Sequence, residues 1–283
     1  MAKRPTDNYS SKSDSIETEK IFAKKSLGQN FLTSPTVPKW MCDAGDVKSG
    51  DIVLEIGPGT GVLTKELLNR GAVVTAIETD SRMITVLEET FVDEIANKNL
   101  TLIHGDMRTF PLSSILPATP YKIVANIPYY LSGYLLRISL ETTPPPATLV
   151  FLMQKEVVER IARSKKSSLA SLSVAVFGKP KYVKTVGRGH FSPSPKVDSA
   201  ILAINNISHD ALPSKEKQTG FFELLHAGFQ SKRKQLAGNL QTLVLKEDVV
   251  TFLREQSLPI TCRAEDLSID TWLALYHFVS KRS

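Results

Sequence analysis

Short apolar runs alternate with helical stretches between residues 51 and 204 of the chain. Apolar runs of about four to eight residues are typical of buried strands, whereas apolar residues three or four positions apart indicate helices. The pattern predicts strands at residues 51–56, 72–77, 100–103, 122–125, 147–153, 182–186 and 197–204. Helices are predicted between them at residues 62–69, 81–91 and 154–162. Because strands and helices alternate, we expect an α/β fold with a doubly wound, mostly parallel sheet, in which the last two strands could pair antiparallel.

The two ends of the chain differ in composition from this central region. Residues 1–20 are rich in Ser, Lys and Asp and hold few apolar residues, which predicts a disordered tail. Residues 205–217 are polar, so we interpret them as a linker. Helical periodicity returns at residues 221–240, 249–254 and 272–279. The sequence therefore predicts a central domain at residues 21–205 and a small helical C-terminal domain at residues 206–283.

The composition adds a charge bias and disfavours several classes of protein. The 283 residues include 35 Lys and Arg against 29 Asp and Glu, a net charge of +6. This balance suits a polyanionic partner, although a merely basic soluble enzyme fits it equally well. The longest apolar run, residues 147–153, is far below the ~20 residues that cross a membrane, so we expect no membrane partner and a cytoplasmic protein. Cys42 and Cys262 lack metal-like spacing, so we expect reduced thiols and no metal.

The first predicted strand runs into a glycine-rich turn, at residues 55–61, that precedes a helix. Glycines allow a tight turn and let the backbone approach a ligand closely. The dinucleotide fingerprint would require a third glycine where Val62 stands, which disfavours a nicotinamide oxidoreductase. The turn instead resembles the first motif of class I methyltransferases, whose cofactor, S-adenosylmethionine, has no phosphate. We therefore expect Gly57 and Gly59 to lie against that cofactor.

Acidic residues follow the next two predicted strands. Glu78 comes directly after the second strand, where a carboxylate can accept hydrogen bonds from both hydroxyls of a ribose. Asp106 and Met107 follow the third strand. Asp106 could accept a hydrogen bond from the amine of the cofactor adenine, with Met107 against the ring. Each position could also be an ordinary strand end or turn, but three successive strand ends of this kind favour a nucleoside site.

The fourth predicted strand is followed by Asn126, Ile127, Pro128 and Tyr129. The exocyclic amine of adenine is a poor nucleophile because its lone pair is delocalised into the ring. Two acceptors, the Asn126 side-chain oxygen and the Ile127 carbonyl, would draw the nitrogen toward a tetrahedral and more nucleophilic state. Pro128 favours an extended Ile127 and so aims that carbonyl. Tyr129 offers a flat face on which the target base can stack.

With these motifs in order, residues 24–240 resemble the ribosomal RNA adenine dimethyltransferases (KsgA type). Residues 24–32 resemble the N-terminal motif of the family, which implies that Asn30 and Leu32 contact the methionine end of S-adenosylmethionine. The resemblance also implies that Asn126 contacts both cofactor and target amine. Phe191, in a proline-rich loop, would lie on the other face of the flipped base; a core anchor is the alternative.

The resemblance extends to the substrate and the RNA contacts. It implies N6,N6-dimethylation of two adjacent adenosines near the 3′ end of small-subunit rRNA, within an assembling ribosomal subunit, by a monomeric enzyme. The stretch at residues 227–240 resembles the basic C-terminal helix of the family. Lys232, Arg233 and Lys234 would there contact phosphate or the ribosomal surface, although a basic run is often just a solvated face.

Two other functions remain open from the sequence. The large-subunit rRNA adenine methyltransferases of the macrolide-resistance type share the fold, the Asn-x-Pro-Tyr type of site and the proline-rich loop. The segment at residues 154–160 and the basic stretch after Phe229 favour the small-subunit enzyme. A non-catalytic ribosome-assembly or transcription factor could also use this fold, but the intact glycine turn and the Asn126 motif argue against lost catalysis.

Overall fold

The structure is a computed structural model that describes residues 28–115 and 119–282. The predicted tail at residues 1–20 and the first residues of the N-terminal motif lie outside the described residues. None of the described helices is long and apolar enough to cross a membrane.

The described strands form a large sheet and a small one. They are β1 (Phe31–Leu32), β2 (Ile52–Ile56), β3 (Val73–Glu78), β4 (Leu100–His104), β5 (Lys122–Asn126), β6 (Thr148–Gln154), β7 (Lys179–Val186), β8 (Phe191–Ser192) and β9 (Ser199–Asn205). In the described residues the large sheet has the order β4-β3-β2-β5-β6-β9-β7, and β1 pairs with β8. β9 runs antiparallel to both β6 and β7, whereas the other pairs in the large sheet are parallel. The predicted α/β class and the mostly parallel sheet are confirmed.

The central strands β2, β5, β6 and β9 of the large sheet are buried on both faces, which explains why they read as continuous apolar runs. Leu54 and Ile56 of β2 belong to one apolar cluster, and Val53 between them belongs to a second cluster on the other face. In β6, all five residues between Thr148 and Gln154 are buried. This two-sided core fixes the strand ends at which the predicted motifs lie.

The helices cover the sheet and continue beyond it. They are α1 (Thr36–Ala44), α2 (Val62–Asn69), α3 (Ser81–Thr90), α4 (Val92–Ala96), α5 (Ser132–Glu141), α6 (Lys155–Ala162), α7 (Leu169–Ala175), α8 (Lys215–Phe229), α9 (Leu236–Leu240), α10 (Lys246–Glu255) and α11 (Ile269–Ser280). The predicted helices correspond to α2, α3 and α6 in the central region, and α1, α4, α5 and α7 were not predicted.

In the C-terminal part of the chain, α11 packs against the end of α8 through a buried tryptophan. Trp272 of α11 is fully buried and stacks on Phe229 with ring centroids 5.9 Å apart. Gly228 allows this approach, because a Cβ there would lie 2.4 Å from the Trp272 ring. The apolar cluster on one face of the sheet continues into these helices. The proposed domain division at residue 205 therefore stays a prediction.

The prediction of one helical stretch across residues 221–240 is wrong, because the helix is interrupted between the end of α8 and the start of α9. Asn239 fixes the break: its Nδ2 donates to the carbonyls of Gly228 at 2.6 Å and Ser231 at 3.0 Å. These bonds occupy carbonyl groups at the end of α8 that no further helical turn satisfies. Residues 232–234 consequently lie on a turn rather than in a helix.

Candidate active site

The carboxyl ends of β2, β3, β4 and β5 border one cleft of about 1060 Å³, open solvent at its mouth included. Because ligands bind beyond the carboxyl ends of strands in open α/β sheets, this edge is where a site is expected. The cleft brings together the predicted cofactor and catalytic residues Asn30, Leu32, Gly57, Gly59, Glu78, Asp106, Met107, Asn126, Ile127, Pro128, Tyr129 and Phe191. The predicted RNA-binding residues Lys232, Arg233 and Lys234 do not line it.

The glycine turn after β2 has three residues with positive φ: Gly57 at 67°, Gly59 at 57° and Gly61 at 80°. Such angles favour glycine. At Gly61 a Cβ would lie 2.6 Å from the Phe91 ring, so this glycine is also needed for packing. At Gly57 a Cβ would meet nothing within 4 Å. The backbone at Gly57 is therefore open to a ligand in the cleft.

The Glu78 carboxylate joins the end of β3 to the glycine turn. Its Oε2 accepts from the backbone N–H of Gly59 at 3.0 Å, and its Oε1 accepts from those of Thr79 at 2.8 Å and Asp80 at 2.9 Å. Only 7% of the residue is exposed, and burial raises the pKa of the carboxyl above its usual value. A carboxylate held in this way presents fixed acceptors to a polar ligand.

Glu55 is a second buried carboxyl in the cleft that the sequence reasoning did not single out. It is 1% exposed, lines the cleft and accepts a hydrogen bond from Thr64 Oγ1 at 2.7 Å. Burial raises its pKa from 4.5 to about 8, which means that the neutral acid is favoured near neutral pH. The signal was present, since Glu55 lies two positions before Gly57, the first glycine of the turn.

This raised pKa predicts a pH dependence of stability. Between about pH 5 and about pH 8 the unfolded chain releases the Glu55 proton while the folded chain retains it, so the free energy of unfolding should fall as pH rises. The side chain of the Glu55→Gln variant cannot ionise, so its free energy of unfolding should fall less steeply over this pH range. Urea unfolding of both proteins at several pH values measures the slopes, with Glu89→Gln on exposed α3 as the control. Equal slopes for wild type and Glu55→Gln would contradict the assignment.

The segment that contains Asn30 ties the two halves of the cleft together. Gln29 Nε2 donates to Asp80 Oδ2 at 3.0 Å, next to the Glu78 site. Asn126 Nδ2 donates to the Asn30 carbonyl at 3.2 Å. β1 then pairs with β8, which places Leu32 opposite Phe191. The described part of the N-terminal motif therefore contacts both the predicted cofactor side and the predicted base side of the cleft.

Asn126 lies at the end of β5, inside this arrangement. Because its Nδ2 is used by the Asn30 carbonyl, its Oδ1 remains the acceptor atom. Ile127 is buried, 2% exposed, and the following Pro128 has φ −59° and ψ 132°. This backbone turns the chain at the strand end and leads into Tyr129.

Two aromatic side chains line the cleft beside Asn126. The Tyr129 hydroxyl shares a 2.6 Å hydrogen bond with Ser199 Oγ, and Ser199 is fully buried at the start of β9. Burial raises the pKa of Tyr129, so the phenol stays protonated. Phe191 is 5% exposed and lies in β8. Ser199 was missed by the sequence reasoning, because it lies 70 positions from Tyr129.

Asp106 differs from the other predicted positions because an arginine already engages its side chain. Arg108 Nε lies 3.0 Å from Oδ1 and Nη2 lies 2.5 Å from Oδ2, which holds the pKa of Asp106 below its usual value. Met107, beside it, is 5% exposed. In the described residues no group of three or more His, Cys, Asp and Glu could hold a metal ion.

Fold and cleft together define a class I methyltransferase. The solved 23S rRNA methyltransferase ErmE has this fold: it is 23% identical, with a TM-score of 0.71 over 89% of this chain and 100% of that chain. A dimethyladenosine transferase from Plasmodium falciparum is 28% identical, with a TM-score of 0.73 over 89% of this chain and 98% of that one. A ribosomal RNA small subunit methyltransferase A of Dehalococcoides mccartyi is 39% identical over 264 residues, 92% of this chain and 89% of the relative.

A family model that matches most of the chain shows the family to which it belongs. Residues 21–281 match the model of the ribosomal RNA adenine dimethylase family. The chain belongs to this family. The predicted family, fold class and enzyme class, an S-adenosylmethionine-dependent rRNA adenine dimethyltransferase, are therefore confirmed.

Proposed function

We propose that this chain transfers methyl groups from S-adenosylmethionine to N6 of two adjacent adenosines near the 3′ end of small-subunit rRNA, giving N6,N6-dimethyladenosine. The observation that supports it is that Asn126 shares one cleft with the glycine turn and Glu78. The relative at 39% identity is named as a small-subunit enzyme. ErmE, named as a 23S rRNA enzyme, is 23% identical and supports only the fold.

The residues of the cleft fit the nucleoside part of S-adenosylmethionine. The open backbone at Gly57 leaves room for the cofactor, and the anchored Glu78 carboxylate suits ribose hydroxyls. Asn30, Leu32, Asp106 and Met107 also line the cleft. We infer that Asn30 and Leu32 hold the methionine end of the cofactor, and that Asp106, which Arg108 also contacts, and Met107 hold its adenine. When bound, this cofactor supplies an electrophilic methyl group on a sulfonium.

The base side of the cleft activates and positions the target adenine. Asn126 Oδ1 accepts a hydrogen bond from the exocyclic amine, while Nδ2 keeps the side chain fixed on the Asn30 carbonyl. The Ile127 carbonyl is the second acceptor. Tyr129 and Phe191 stack on the base after it has left its helical stack, as enzymes acting on bases require. Positioning and fixed dipoles carry most of the rate.

Radiolabelled methyl transfer to immature small subunits, followed by nucleoside analysis, tests the proposal. We expect labelled N6,N6-dimethyladenosine in small-subunit rRNA and none in large subunits. Labelling of large-subunit rRNA would favour the macrolide-resistance type. Absent incorporation by wild type and Asn126→Ala, with both still binding pre-subunits, would favour a binding-only protein. Primer extension on the labelled rRNA identifies which adenines were methylated.

The hydrogen bond between Tyr129 and Ser199 predicts a positioning role for Ser199. Tyr129→Phe and Ser199→Ala each remove the bond, worth about 1 kcal/mol, and should raise KM for the RNA several-fold with little change in KM for S-adenosylmethionine. Because both changes delete one interaction, the double variant should be no worse than either single variant. Ser192→Ala, exposed in β8, is the control. Additive losses in the double variant would contradict a shared role.

We also infer the setting of the reaction and its RNA contacts. We place the substrate in an assembling subunit, and we expect a monomeric, cytoplasmic enzyme. Lys232, Arg233 and Lys234 are exposed on the turn between α8 and α9, where they can contact phosphates without belonging to a helix. The division into domains at residues 21–205 and 206–283 also remains a proposal.

A further inference from the structure

We propose that the open edge of the large sheet binds the phosphate backbone of the substrate RNA and guides it to the cleft. This surface, which we call the basic edge, consists of Lys179, Lys181 and Lys184 on β7. The inference rests on the proposed function, because it assigns the RNA that the cleft methylates to a second surface of the same protein.

Strand pairing places the three lysines on one face of the sheet. Among the described strands, β7 is the last in the sheet order and pairs on one side, with β9. Lys179, Lys181 and Lys184 lie opposite Asn205, Ala203 and Ile201, which are alternate positions of β9. An irregularity between Tyr182 and Lys184 keeps Lys184 on the face of the other two. The Cα atoms of alternate strand positions lie about 6.6 Å apart, so the three lysines form a row along the strand.

The row leads toward the base side of the cleft. At the end of β7, Val186 pairs with Ser199, which holds the Tyr129 hydroxyl. The chain then passes exposed Arg188 and reaches Phe191, which lines the cleft. A backbone lying along the basic edge therefore approaches the aromatic pair that is proposed to hold the flipped base.

The positive charge of the basic edge is not compensated within the described residues. Lys179, Lys181 and Lys184 are exposed, and in the described part of the chain no carboxylate forms an ion pair with them. By contrast, Arg70, Arg160 and Lys215 each have a carboxylate partner at 2.6–2.7 Å. Lys184 Nζ lies 3.9 Å from the centroid of the Trp40 ring, which orients the ammonium but leaves its charge intact.

The same lysines have a second possible role, which the test must separate. Exposed lysines on an edge strand discourage pairing with another chain, and Pro180, which has no backbone N–H, is a residue that edge strands tolerate. Charge reversal separates the two roles, because glutamates also protect an edge but repel phosphate. The triple variant K179E/K181E/K184E is therefore expected to remain monodisperse and folded while losing RNA affinity.

Methylation of small subunits is measured for wild type, the triple glutamate variant and a matched control, K65E/K98E/K281E, with the same net charge and exposed positions elsewhere. We expect the basic-edge variant to raise KM for subunits at least about tenfold. The slope of log KM against log salt should become shallower by about 2, because each of the three lysines accounts for about 0.7 as one phosphate contact. The affinity for S-adenosylmethionine should not change. The glutamine version, K179Q/K181Q/K184Q, should show a smaller loss in the same direction.

Unchanged KM and salt slope in a folded basic-edge variant, or equal losses in the matched control, would overturn the inference and leave edge protection as the role of these lysines. Methylation of neither subunit by wild type would instead refute the proposed function. Co-sedimentation of each variant with small subunits needs no methyl transfer and still decides whether the basic edge binds RNA.

Discussion

Asn126→Ala is expected to lower kcat for methyl transfer by about a hundredfold to a thousandfold, the range seen when one preorganised polar group is removed from an active site. The variant loses the Oδ1 acceptor for the target amine and also the Nδ2 bond that fixes the Asn30 carbonyl at 3.2 Å. Single-turnover methylation of immature small subunits measures the loss. The KM for subunits should change far less, because Tyr129 and Phe191 still line the cleft.

The matched control is Asn69→Ala, which removes an exposed amide at the end of α2 and should leave kcat unchanged. Asn126→Asp is informative as a second variant, because it keeps an acceptor but loses the donor to Asn30. We expect its activity to lie between those of wild type and the alanine variant. Wild-type kcat in folded Asn126→Ala would refute the catalytic assignment of Asn126.

The middle of the sheet was predictable because β2, β5, β6 and β9 are buried on both faces and therefore read as apolar runs. β7 was harder: residues 182–186 were predicted, but the strand begins at Lys179. Its first residues are Lys, Pro and Lys. An edge strand tolerates such residues, but they show no apolar periodicity and therefore give no strand signal in the sequence. α5 was missed for a related reason, since Ser132 and Ser139 occupy two of its buried positions and blunt the apolar pattern.

The predicted cleft residues follow successive strand ends, and parallel strands bring their carboxyl ends to one edge. That rule needs no knowledge of long-range contacts, which is why Glu78 and Asn126 could be brought into one site from the sequence. Gln29 and Ser199 could not be found in this way, because their partners lie 51 and 70 positions away. The motif also did not predict the bond from Arg108 to Asp106, although Arg108 lies only two positions further along the chain.

The helical prediction for residues 221–240 shows how a side chain overrides periodicity. Phe221 and Leu240 are both fully buried, so the apolar pattern is genuine. The helix nevertheless ends at Phe229, because Asn239 Nδ2 folds back onto the Gly228 and Ser231 carbonyls. Residues 232–234 are therefore exposed on a turn between two helices.

Glu78→Gln is expected to weaken S-adenosylmethionine binding about a hundredfold, because hydrogen bonds to a charged group contribute roughly 1.5–3 kcal/mol each. Both carboxylate oxygens accept backbone N–H groups, Oε2 from Gly59 and Oε1 from Thr79 and Asp80. Whichever way the glutamine amide turns, its NH2 meets a backbone donor, so either the glycine turn or the end of β3 loses its acceptor. The ribose then meets a displaced glycine turn as well as a neutral side chain.

Calorimetric titration of the cofactor measures this loss, and Glu89→Gln on the exposed face of α3 supplies the same charge change as a control. Because burial raises the pKa of Glu78, the wild-type affinity should also fall as the pH drops toward that pKa, and the glutamine variant should lack this dependence. Loss of affinity in both variants would show a general charge effect. Wild-type affinity in folded Glu78→Gln would remove Glu78 from the cofactor site and would leave the open glycine turn as the main support for that site.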